Sequence, residues 1–419
     1  MSERVDIVVF GATGYTGKFV VQELARVAPE YPGLRWAVAG RCRERLVALL
    51  RDVSLKTGID LSAVRVMVAD VADDLSLRSM CSQARLLVNC CGPFVRLGEP
   101  VVAAAVDCGA HYVDVSGEKM FVDILEKYDK IARAAGVCVV PTCGLSSVPA
   151  DLGVVHLQDN FGGTLNSVES YLTIECPQKL ASERTKGTVR YSSWESMINS
   201  MAAMTLIKPQ KTLLPKLKPE LKKRFFIHKN LNKWCLLFPN TDVEVVKKTQ
   251  LNLLFTDKRR PVQYKAYITF LNIFHAIGLI FIGAILFILS KVSCTKNLLL
   301  NYPRLCSFGI VTYNHPKEGV MDDLCLQYDM LGEGWTEGVD IENTPPNRNV
   351  VGRIRVFGRD APFVGTAVIV IFSALAILRE QEKIPNRCGF MTPGVAFRNT
   401  SLIKNLCKNN FQFDIIEKT

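Results

Sequence analysis

Seven residues near the N-terminus carry the clearest chemical signal in the chain. Three glycines recur at a G-x-x-G-x-x-G spacing, directly after an apolar run and before a helical pattern. The first glycine permits a tight turn, the second lets backbone N–H groups approach a bound group, and the third lets a helix pack closely on a strand. A helix N-terminus behind such a loop stabilises negative charge. The loop therefore predicts the pyrophosphate site of a dinucleotide, formed by Gly11, Ala12, Thr13, Gly14, Tyr15, Thr16 and Gly17.

The residues after the second apolar run indicate which dinucleotide this loop would take. Folds that bind NAD usually place Asp or Glu at this point, where the carboxylate holds the ribose 2′-hydroxyl. The run Ala39–Arg43 contains Arg41 and Arg43 and no acid. A guanidinium pairs with a 2′-phosphate, so the sequence favours NADP over NAD. The alternative for both arginines is a solvated position on a loop.

Other strand ends place polar and turn-forming residues at the same edge of the predicted sheet. Asp70 closes the third strand, where we expect it to border the adenine. The end of the fourth strand is expected to turn sharply and to present peptide groups to the nicotinamide half. These residues are Asn89, Cys90, Gly92 and Pro93. Glu118 follows the fifth strand, either as an acid/base group or as a carboxylate at a helix start. No Ser/His/Asp or Cys/His arrangement appears, so the sequence predicts no catalytic residue.

Apolar runs of strand length alternate with helical stretches over the first 145 residues. Such alternation is typical of a parallel sheet with helices on both faces. Helices are predicted from about Tyr15 to Ala28 and over Lys119–Ala135. The predicted strands are Val5–Phe10, Trp36–Ala39, Val64–Ala69, Leu86–Cys90, Tyr112–Val115 and Val137–Pro141. The sequence therefore predicts an α/β fold with a Rossmann-type doubly wound parallel sheet.

Several of these motifs together resemble the saccharopine dehydrogenase family. The matching segments are Gly11–Gly17, Ala39–Arg41, Asn89–Pro93, Tyr112–Glu118, Val148–Gly153 and Met391–Phe397. The resemblance runs over nearly the whole chain. It implies a dinucleotide-binding Rossmann domain over residues 1–160, an inserted α+β domain over 161–360, and C-terminal segments over 361–419 that return to the first domain.

The resemblance implies an oxidoreductase that uses NAD(P), but it does not imply saccharopine chemistry. The family also contains trans-acting enoyl reductases. One position departs from the family pattern, because the chain reads Gly144-Leu-Ser-Ser147 where similar sequences tend to have Gly-Phe-Asp-Ser. The resemblance therefore carries no catalytic acid over to this position.

Cysteine usage and the N-terminus bear on metal sites and location. The 14 cysteines are scattered, with no C-x-x-C pair and no Cys/His cluster at metal-ligand spacing. They predict reduced thiols in a cytosol-facing protein and no metal. Glu3 and Asp6 interrupt any targeting presequence, so mitochondrial association is less expected than a cytosolic location.

The net charge of +11 comes from one stretch of the chain. Residues 208–265 contain 15 Lys and Arg against 4 Asp and Glu, an excess equal to that of the whole chain. The next 25 residues, Ala266–Ser290, carry no formal charge. As a helix rising about 1.5 Å per residue they would extend roughly 37 Å, enough to cross a bilayer core. The alternative is a buried core helix, although such helices more often have about 10–14 apolar residues.

The resemblance restricts how this hydrophobic segment would meet a membrane. If the C-terminal segments return to the first domain, both flanks of the segment lie on one side, and both flanks are basic. An in-plane helix and a re-entrant hairpin with Asn297–Tyr313 as its return arm both satisfy this condition. The basic stretch 208–265 would add attraction to anionic head groups. Nucleic acid is not expected as a partner, because no nucleic-acid-binding module is recognisable.

These observations lead to two expectations about function. The first is an NADP-dependent oxidoreductase acting on a small molecule or a lipid-linked substrate at the cytosolic face of a membrane or lipid droplet. The second is a cofactor-binding scaffold on the same lipid surface, without turnover. The substrate, the direction of hydride transfer and the oligomeric state are not determined by the sequence.

Overall fold

A computed structural model describes residues 4–175, 189–204, 214–238, 240–313, 324–358, 360–385 and 388–417. The first part of the chain alternates strands and helices. The strands are β1 (Val5–Phe10), β2 (Trp36–Gly40), β3 (Arg65–Val68), β4 (Ala84–Asn89), β5 (His111–Asp114) and β6 (Cys138–Val140). The helices are α1 (Tyr15–Val27), α2 (Arg43–Thr57), α3 (Asp74–Cys81), α4 (Phe94–Asp107), α5 (Lys119–Leu125), α6 (Asp129–Ala135) and α7 (Val148–Asp159).

The six strands pair in parallel in the order β6-β5-β4-β1-β2-β3. All six residues of β1 are buried, which is typical of a parallel strand covered by helices on both faces. The strand order reverses between β1 and β4, and ligands of doubly wound sheets bind at such a point. The predicted α/β Rossmann-type sheet is confirmed. The helix predicted over Lys119–Ala135 is instead two helices, α5 and α6, separated by a short 3-10 turn at Glu126–Tyr128.

The middle of the chain builds a second sheet and a small helical module. Its strands are β7 (Gly163–Glu175), β8 (Val189–Arg190), β9 (Ile227–Asn230), β10 (Lys233–Leu237), β11 (Gln263–Phe270), β12 (Val311–Thr312), β13 (Cys325–Thr336) and β14 (Arg348–Val356). Its helices are α8 (Tyr191–Ala203), α9 (Thr241–Asp257), α10 (Ile273–Lys291), α11 (Ser293–Asn301) and α12 (Pro303–Cys306).

The last segments are α13 (Ala361–Arg379), β15 (Gly389–Phe390), α14 (Pro393–Phe397), α15 (Leu402–Cys407) and β16 (Phe411–Glu417). Two compact units result, one from residues up to 155 together with 362–411, the other from 156–361 together with 412–419. β15 adds a parallel strand beside β6. β16 pairs beside β14 in the second sheet. The prediction that all of 361–419 returns to the first unit is therefore wrong for its last strand, because an edge strand can be supplied from any part of the chain.

The second sheet has the order β16-β14-β13-β7-β11-β10-β9. Side chains alternate between its faces along each strand. One face is apolar, and Leu157 of α7 packs there against Gly332 and Gly352. The other face carries polar side chains such as Glu169 and Thr173, both buried. The sheet therefore offers a polar surface on one side only.

The basic stretch 208–265 is divided among several elements of the second unit. Residues 208–213 and 239 lie outside the described residues, and the rest runs through β9, β10, α9 and β11 with their connections. Several of its cations are paired, for example Arg224 with Glu169 at 2.6 Å and Arg259 with Asp159 at 2.6 Å. Part of the positive charge of this stretch is therefore balanced by carboxylates within the fold.

The uncharged segment 266–290 is not one helix. Its first five residues complete β11, which is rich in the aromatic and β-branched side chains that favour a strand. The Asn272 side chain then accepts the Phe274 N–H and caps α10, which has 19 residues and a length of about 28 Å at about 1.5 Å per residue. The predicted length of roughly 37 Å is therefore wrong. Absence of charge does not distinguish a strand from a helix, and here a strand and a helix share the uncharged run.

α10 is held by a small core and leaves most of its apolar surface uncovered. It packs on α8 and α11. The core residues of this module are Trp194, Ile198, Leu286, Leu299 and Val311. Two described helices, α10 and α13, are long and apolar enough to cross a membrane, but 72% of the apolar stretch of α13 is buried, against 17% of that of α10. α13 is thus a core helix, whereas α10 exposes a hydrophobic surface unusual for a protein in water.

Candidate dinucleotide-binding site

The glycine loop between β1 and α1 has the geometry that its spacing predicts. Gly11 adopts a positive φ of 77°. A Cβ atom on Gly11 would lie 2.7 Å from Cys91 Sγ, and one on Gly17 would lie 2.2 Å from the Gly11 carbonyl oxygen. Both positions therefore require glycine, the first for the turn and the second for the approach of the helix to the loop.

The N-terminus of α1 is left open at this loop. Gly14 precedes the helix in extended conformation and supplies no side-chain cap, and the first turn contains no acid. A Cβ atom on Gly14 would lie 3.0 Å from the Gly11 carbonyl oxygen. The positive end of the α1 dipole thus faces the loop, and a side chain at position 14 would crowd the Gly11 carbonyl oxygen. These features fit the pyrophosphate of a dinucleotide bound along Gly11–Gly17.

Arg41 and Asp70 follow adjacent strands and lie near Cys91. Their opposite charges act on the Cys91 thiol, whose pKa is raised to about 12 chiefly by burial, with Arg41 lowering it and Asp70 raising it. The Arg41 guanidinium is exposed at the end of β2, and no hydrogen bond is recorded for it within the described ranges. Arg43 is turned toward β3, where its Nη1 donates to the Val66 carbonyl at 3.4 Å. Arg41 is therefore the better placed of the two to meet a 2′-phosphate.

Asn89 lies in the interior. Its Oδ1 accepts the Cys91 N–H at 2.9 Å and its Nδ2 donates to the Tyr112 hydroxyl at 3.0 Å. Burial raises the pKa of the neighbouring Cys90 thiol well above its usual range. Asn89 thus positions the backbone of the loop after β4, where the sequence predicts the nicotinamide half.

Glu118 fixes the next part of this loop. Its carboxylate accepts the N–H groups of Phe94 at 3.1 Å and Val95 at 2.8 Å, the first residues of α4. The preceding Gly92–Pro93 peptide is cis and leads directly into that helix. Of the two interpretations of Glu118, the structure favours a helix-start carboxylate, but it serves α4 and not the helix α5 that follows it in sequence.

Asp114 was expected only as part of a strand end, and the structure shows it at the centre of a buried network. Its Oδ1 accepts the N–H groups of Ser116 and Thr142, both at 2.9 Å. Burial raises the pKa of Asp114 to about 6, although these hydrogen bonds lower it. A carboxylic acid that ends an otherwise apolar buried strand was the sequence signal for this group.

Two contacts link the C-terminal segments to the edge of the first sheet where the glycine loop and the other strand ends lie. The sequence analysis predicted neither contact. The Asp151 carboxylate accepts the Gly394 N–H at 2.6 Å, which joins the segments Val148–Gly153 and Met391–Phe397. The ring of Phe363 on α13 packs edge-on against Tyr15 of the glycine loop, with centroids 4.5 Å apart. No local pattern reveals either pairing, because the partners are more than 200 residues apart in the chain.

The glycine loop and the strand ends beside it can hold a dinucleotide. The nicotinamide of that dinucleotide would supply the hydride chemistry of a reaction. The buried acids Asp114, Glu118 and Asp151 all accept backbone N–H groups. No cluster of three His, Cys, Asp or Glu residues that could hold a metal occurs in the described part of the chain. The fold and the site together define a nucleotide-binding protein of the Rossmann class.

Comparison with known proteins narrows this class. Residues 7–140 match the family described as the saccharopine dehydrogenase NADP binding domain. The human saccharopine dehydrogenase-like oxidoreductase is 33% identical over 427 residues, covering 99% of this chain and 97% of the human one. The chain belongs to the saccharopine dehydrogenase-like oxidoreductase family.

Two further relatives extend the comparison. A Caenorhabditis elegans protein named lipid droplet localized protein is 32% identical over 432 residues, with 98% of each chain covered. The apo structure of saccharopine dehydrogenase (L-Glu forming) from Saccharomyces cerevisiae aligns with a TM-score of 0.56 at 14% identity, covering 98% of this chain and all of that one. This last similarity confirms the fold of a parallel sheet followed by a second sheet.

Proposed function

We propose that the protein is an NADP-dependent oxidoreductase that acts on a lipid-linked substrate at the surface of a membrane or lipid droplet. The observation that carries the proposal is the exposed apolar surface of α10 in a chain that also has an open phosphate-binding loop. A soluble enzyme of a soluble substrate gains nothing from such a surface and risks aggregation.

The preference for NADP rests on the end of β2. Arg41 stands exposed where an acid would hold an NAD ribose and repel a phosphate. Charge-assisted hydrogen bonds from a guanidinium to a phosphate are among the stronger polar contacts in proteins. The match to a family described as NADP binding supports the same choice. A bound nicotinamide would supply the hydride donor or acceptor, and Gly11–Gly17 with Arg41 would hold the dinucleotide.

Attachment to a lipid surface is supported by the position of α10 between strands of one unit. The chain enters the helical module from β11 and leaves it through β12, both in the second unit. The segment 297–313 contains only short helices and β12, and no second helix of spanning length. An in-plane helix therefore agrees with the structure better than a long hairpin. The name of the C. elegans relative supports a lipid droplet as the surface.

A scaffold without turnover is the second candidate. It is favoured by one observation, that the acids at the dinucleotide edge are engaged with backbone N–H groups. The run Gly144–Ser147 adds no acid either. A protein that had lost its chemistry could keep both the cofactor and the apolar helix.

Transfer of deuterium separates the two candidates. The purified protein is incubated with a total cell lipid extract and NADPH that carries deuterium at either face of C4, and lipids are examined by mass spectrometry. Deuterium in a lipid, absent with Gly14→Val, is the expected result. Label only in water-soluble products overturns the lipid-linked substrate. Binding of NADPH without any transfer of label favours the scaffold.

A further inference from the structure

A cavity of about 330 Å³ lies on the polar face of the second sheet. The side chains that matter for its chemistry are Thr173, Asn232, Lys233, Thr269, Asp329 and Arg353. They come from β7, β10, β11, β13 and β14 and from the turn between β9 and β10. That turn has two residues at positive φ, Leu231 and Asn232, typical of a tight hairpin, and it delivers Lys233 to the cavity wall.

The charges of this cavity leave it cationic. Asp329 is neutralised by Arg353, whose Nε lies 2.6 Å from its carboxylate, and it also accepts the Gln327 amide. Lys233 donates to the Thr173 hydroxyl at 3.3 Å and lies 3.9 Å from Glu175, which is exposed. The cavity thus holds one ammonium group in excess of its buried carboxylate.

A second cavity on the same face, of about 190 Å³, shows the opposite situation. There Arg224 forms two hydrogen bonds with Glu169, and Lys222 lies 3.1 Å from Glu333. Each cation in its wall therefore has a carboxylate partner within 3.1 Å. The larger cavity is the better candidate for an anionic ligand.

Hydroxyl groups extend the donor set around Lys233. Thr173 and Thr269 are buried, and their hydroxyl oxygens are 2.8 Å apart. Since Lys233 donates to Thr173, Thr173 can donate to Thr269, and the Thr269 hydroxyl then ends a chain of donors. An ammonium group, a hydroxyl and the Asn232 amide form a donor set suited to phosphate oxygens.

The cavity adjoins the apolar helix. Thr269 is one residue from the end of β11, and α10 packs against β10, the strand that carries Lys233. Leu271 and Phe274, at the start of α10, are strongly exposed. A phosphate in the cavity would therefore be bound by a strand that leads, a few residues further along the chain, to an apolar surface. A molecule with a charged head and an acyl chain matches this arrangement.

We propose that this cavity binds the phosphate headgroup of an anionic phospholipid whose acyl chains lie along α10. The inference rests on the proposed attachment of α10 to lipid, and it adds a specific headgroup site to that surface. The headgroup would orient the protein on the membrane, whereas α10 alone provides apolar contact without selecting a lipid.

The test uses dihexanoyl phosphatidic acid, a short-chain lipid studied below its micelle concentration, with sn-glycerol 3-phosphate as the soluble anion. Binding to the full chain is measured by calorimetric titration. Lys233→Gln removes the ammonium group of the cavity, whose carboxylate partner Glu175 is exposed, and should weaken phosphatidic acid binding about 10-fold or more. Lys229→Gln, an equal change at an exposed position on β9 outside the cavity, should leave binding unchanged. Thr269→Val, which keeps side-chain shape, should weaken binding as well.

The titrations with the two probes and the variants either support the headgroup site or overturn it. Tighter binding of phosphatidic acid than of glycerol 3-phosphate, with loss in Lys233→Gln, supports the assignment. Equal binding of the two probes overturns the lipid as ligand, and equal affinity in Lys233→Gln and the unmutated protein overturns the cavity as its site. The measurement is made without membranes or turnover, so its failure is distinct from failure of the proposed attachment or enzyme activity. Thermal unfolding of each variant checks that the second sheet remains folded.

Discussion

The exposed face of α10 gives the most direct test of lipid attachment. Phe281 and Ile288 are 67% and 65% exposed and lie seven residues apart, on one side of the helix. Replacing both with Asp should release the protein from membranes without disturbing its fold. Leu286 is unsuitable for this purpose, because it is buried against Trp194 and Leu299 in the core of the module.

The expected size of the effect follows from the exposed fractions. Seven large side chains of α10 are between 41% and 74% exposed: Phe274, Ile277, Leu279, Phe281, Ile282, Ile285 and Ile288. Full burial of such a side chain contributes about 1.5–3 kcal/mol, so their transfer into lipid would contribute roughly 9 kcal/mol. Phe281 and Ile288 account for about 3 kcal/mol of this. Their loss alone should weaken attachment about 100-fold, and placing two carboxylates in the lipid should weaken it further.

Flotation of the protein with phospholipid vesicles or isolated lipid droplets, followed by a 1 M salt wash, measures this attachment. Screening acts within about 3 Å at that salt concentration, so attachment through exposed charges alone would be lost. The unmutated protein should stay in the floating fraction and the double variant should not. Leu55→Asp with Leu75→Asp, two highly exposed positions in the first unit, is the matched control and should float normally. Release of the unmutated protein by salt, or flotation of the double variant, would refute the reasoning.

Three further predictions concern the first unit. Arg41→Ala should weaken NADPH binding about 10- to 150-fold, because one charged hydrogen-bonding partner of the 2′-phosphate is lost. NADH binding should be nearly unchanged. Equal affinities of the unmutated protein for NADPH and NADH in calorimetric titration would contradict this prediction. Gly14→Val should abolish NADPH binding while circular dichroism shows the sheet intact, since a side chain would fill the loop beside the Gly11 carbonyl. Asp114 has a pKa of about 6 in the folded state, against an ordinary value of 3.8. Between these two pH values the folded state binds more protons than the unfolded state does. The contribution of Asp114 to the free energy of unfolding therefore falls as pH rises from about 4 to about 6. At about 1.4 kcal/mol per unit the loss is on the order of 3 kcal/mol, and urea denaturation of Asp114→Asn should lack this slope.

The parts of the fold that sequence predicted are those with local signals. A buried parallel strand is a continuous apolar run, and a phosphate loop is a fixed spacing of glycines between a strand and a helix. Val5–Phe10 and Gly11–Gly17 carry both signals side by side, and the predicted bounds of the first strand agree with the structure. The roles of Gly11 and Gly17 were also predicted, because steric demands of a turn and of close packing depend on neighbours in sequence.

The parts that sequence did not predict depend on partners far along the chain. Glu118 serves the start of α4, 24 residues earlier, and Asp151 serves the start of α14, 243 residues later. A carboxylate near a predicted helix suggests a cap for that helix, but which helix start it reaches is decided by the packing of the sheet. The prediction of one helix over the uncharged segment 266–290 was wrong for a different reason. Composition alone does not locate the junction between β11 and α10.

The way α10 is inserted in the chain constrains its relation to a membrane. The strands before and after the module, β11 and β13, both pair with β7 in the second sheet. A helix that crossed a bilayer completely would need a second crossing to bring the chain back to that sheet. Over the described residues 292–313, α11 and α12, with 9 and 4 residues, are too short to provide it. Shallow insertion into one leaflet requires no return crossing. It also agrees with the packing of α10 on α8, because one side of the helix stays on the protein while the other meets lipid. Protease protection of only one chain terminus in sealed vesicles would contradict this geometry.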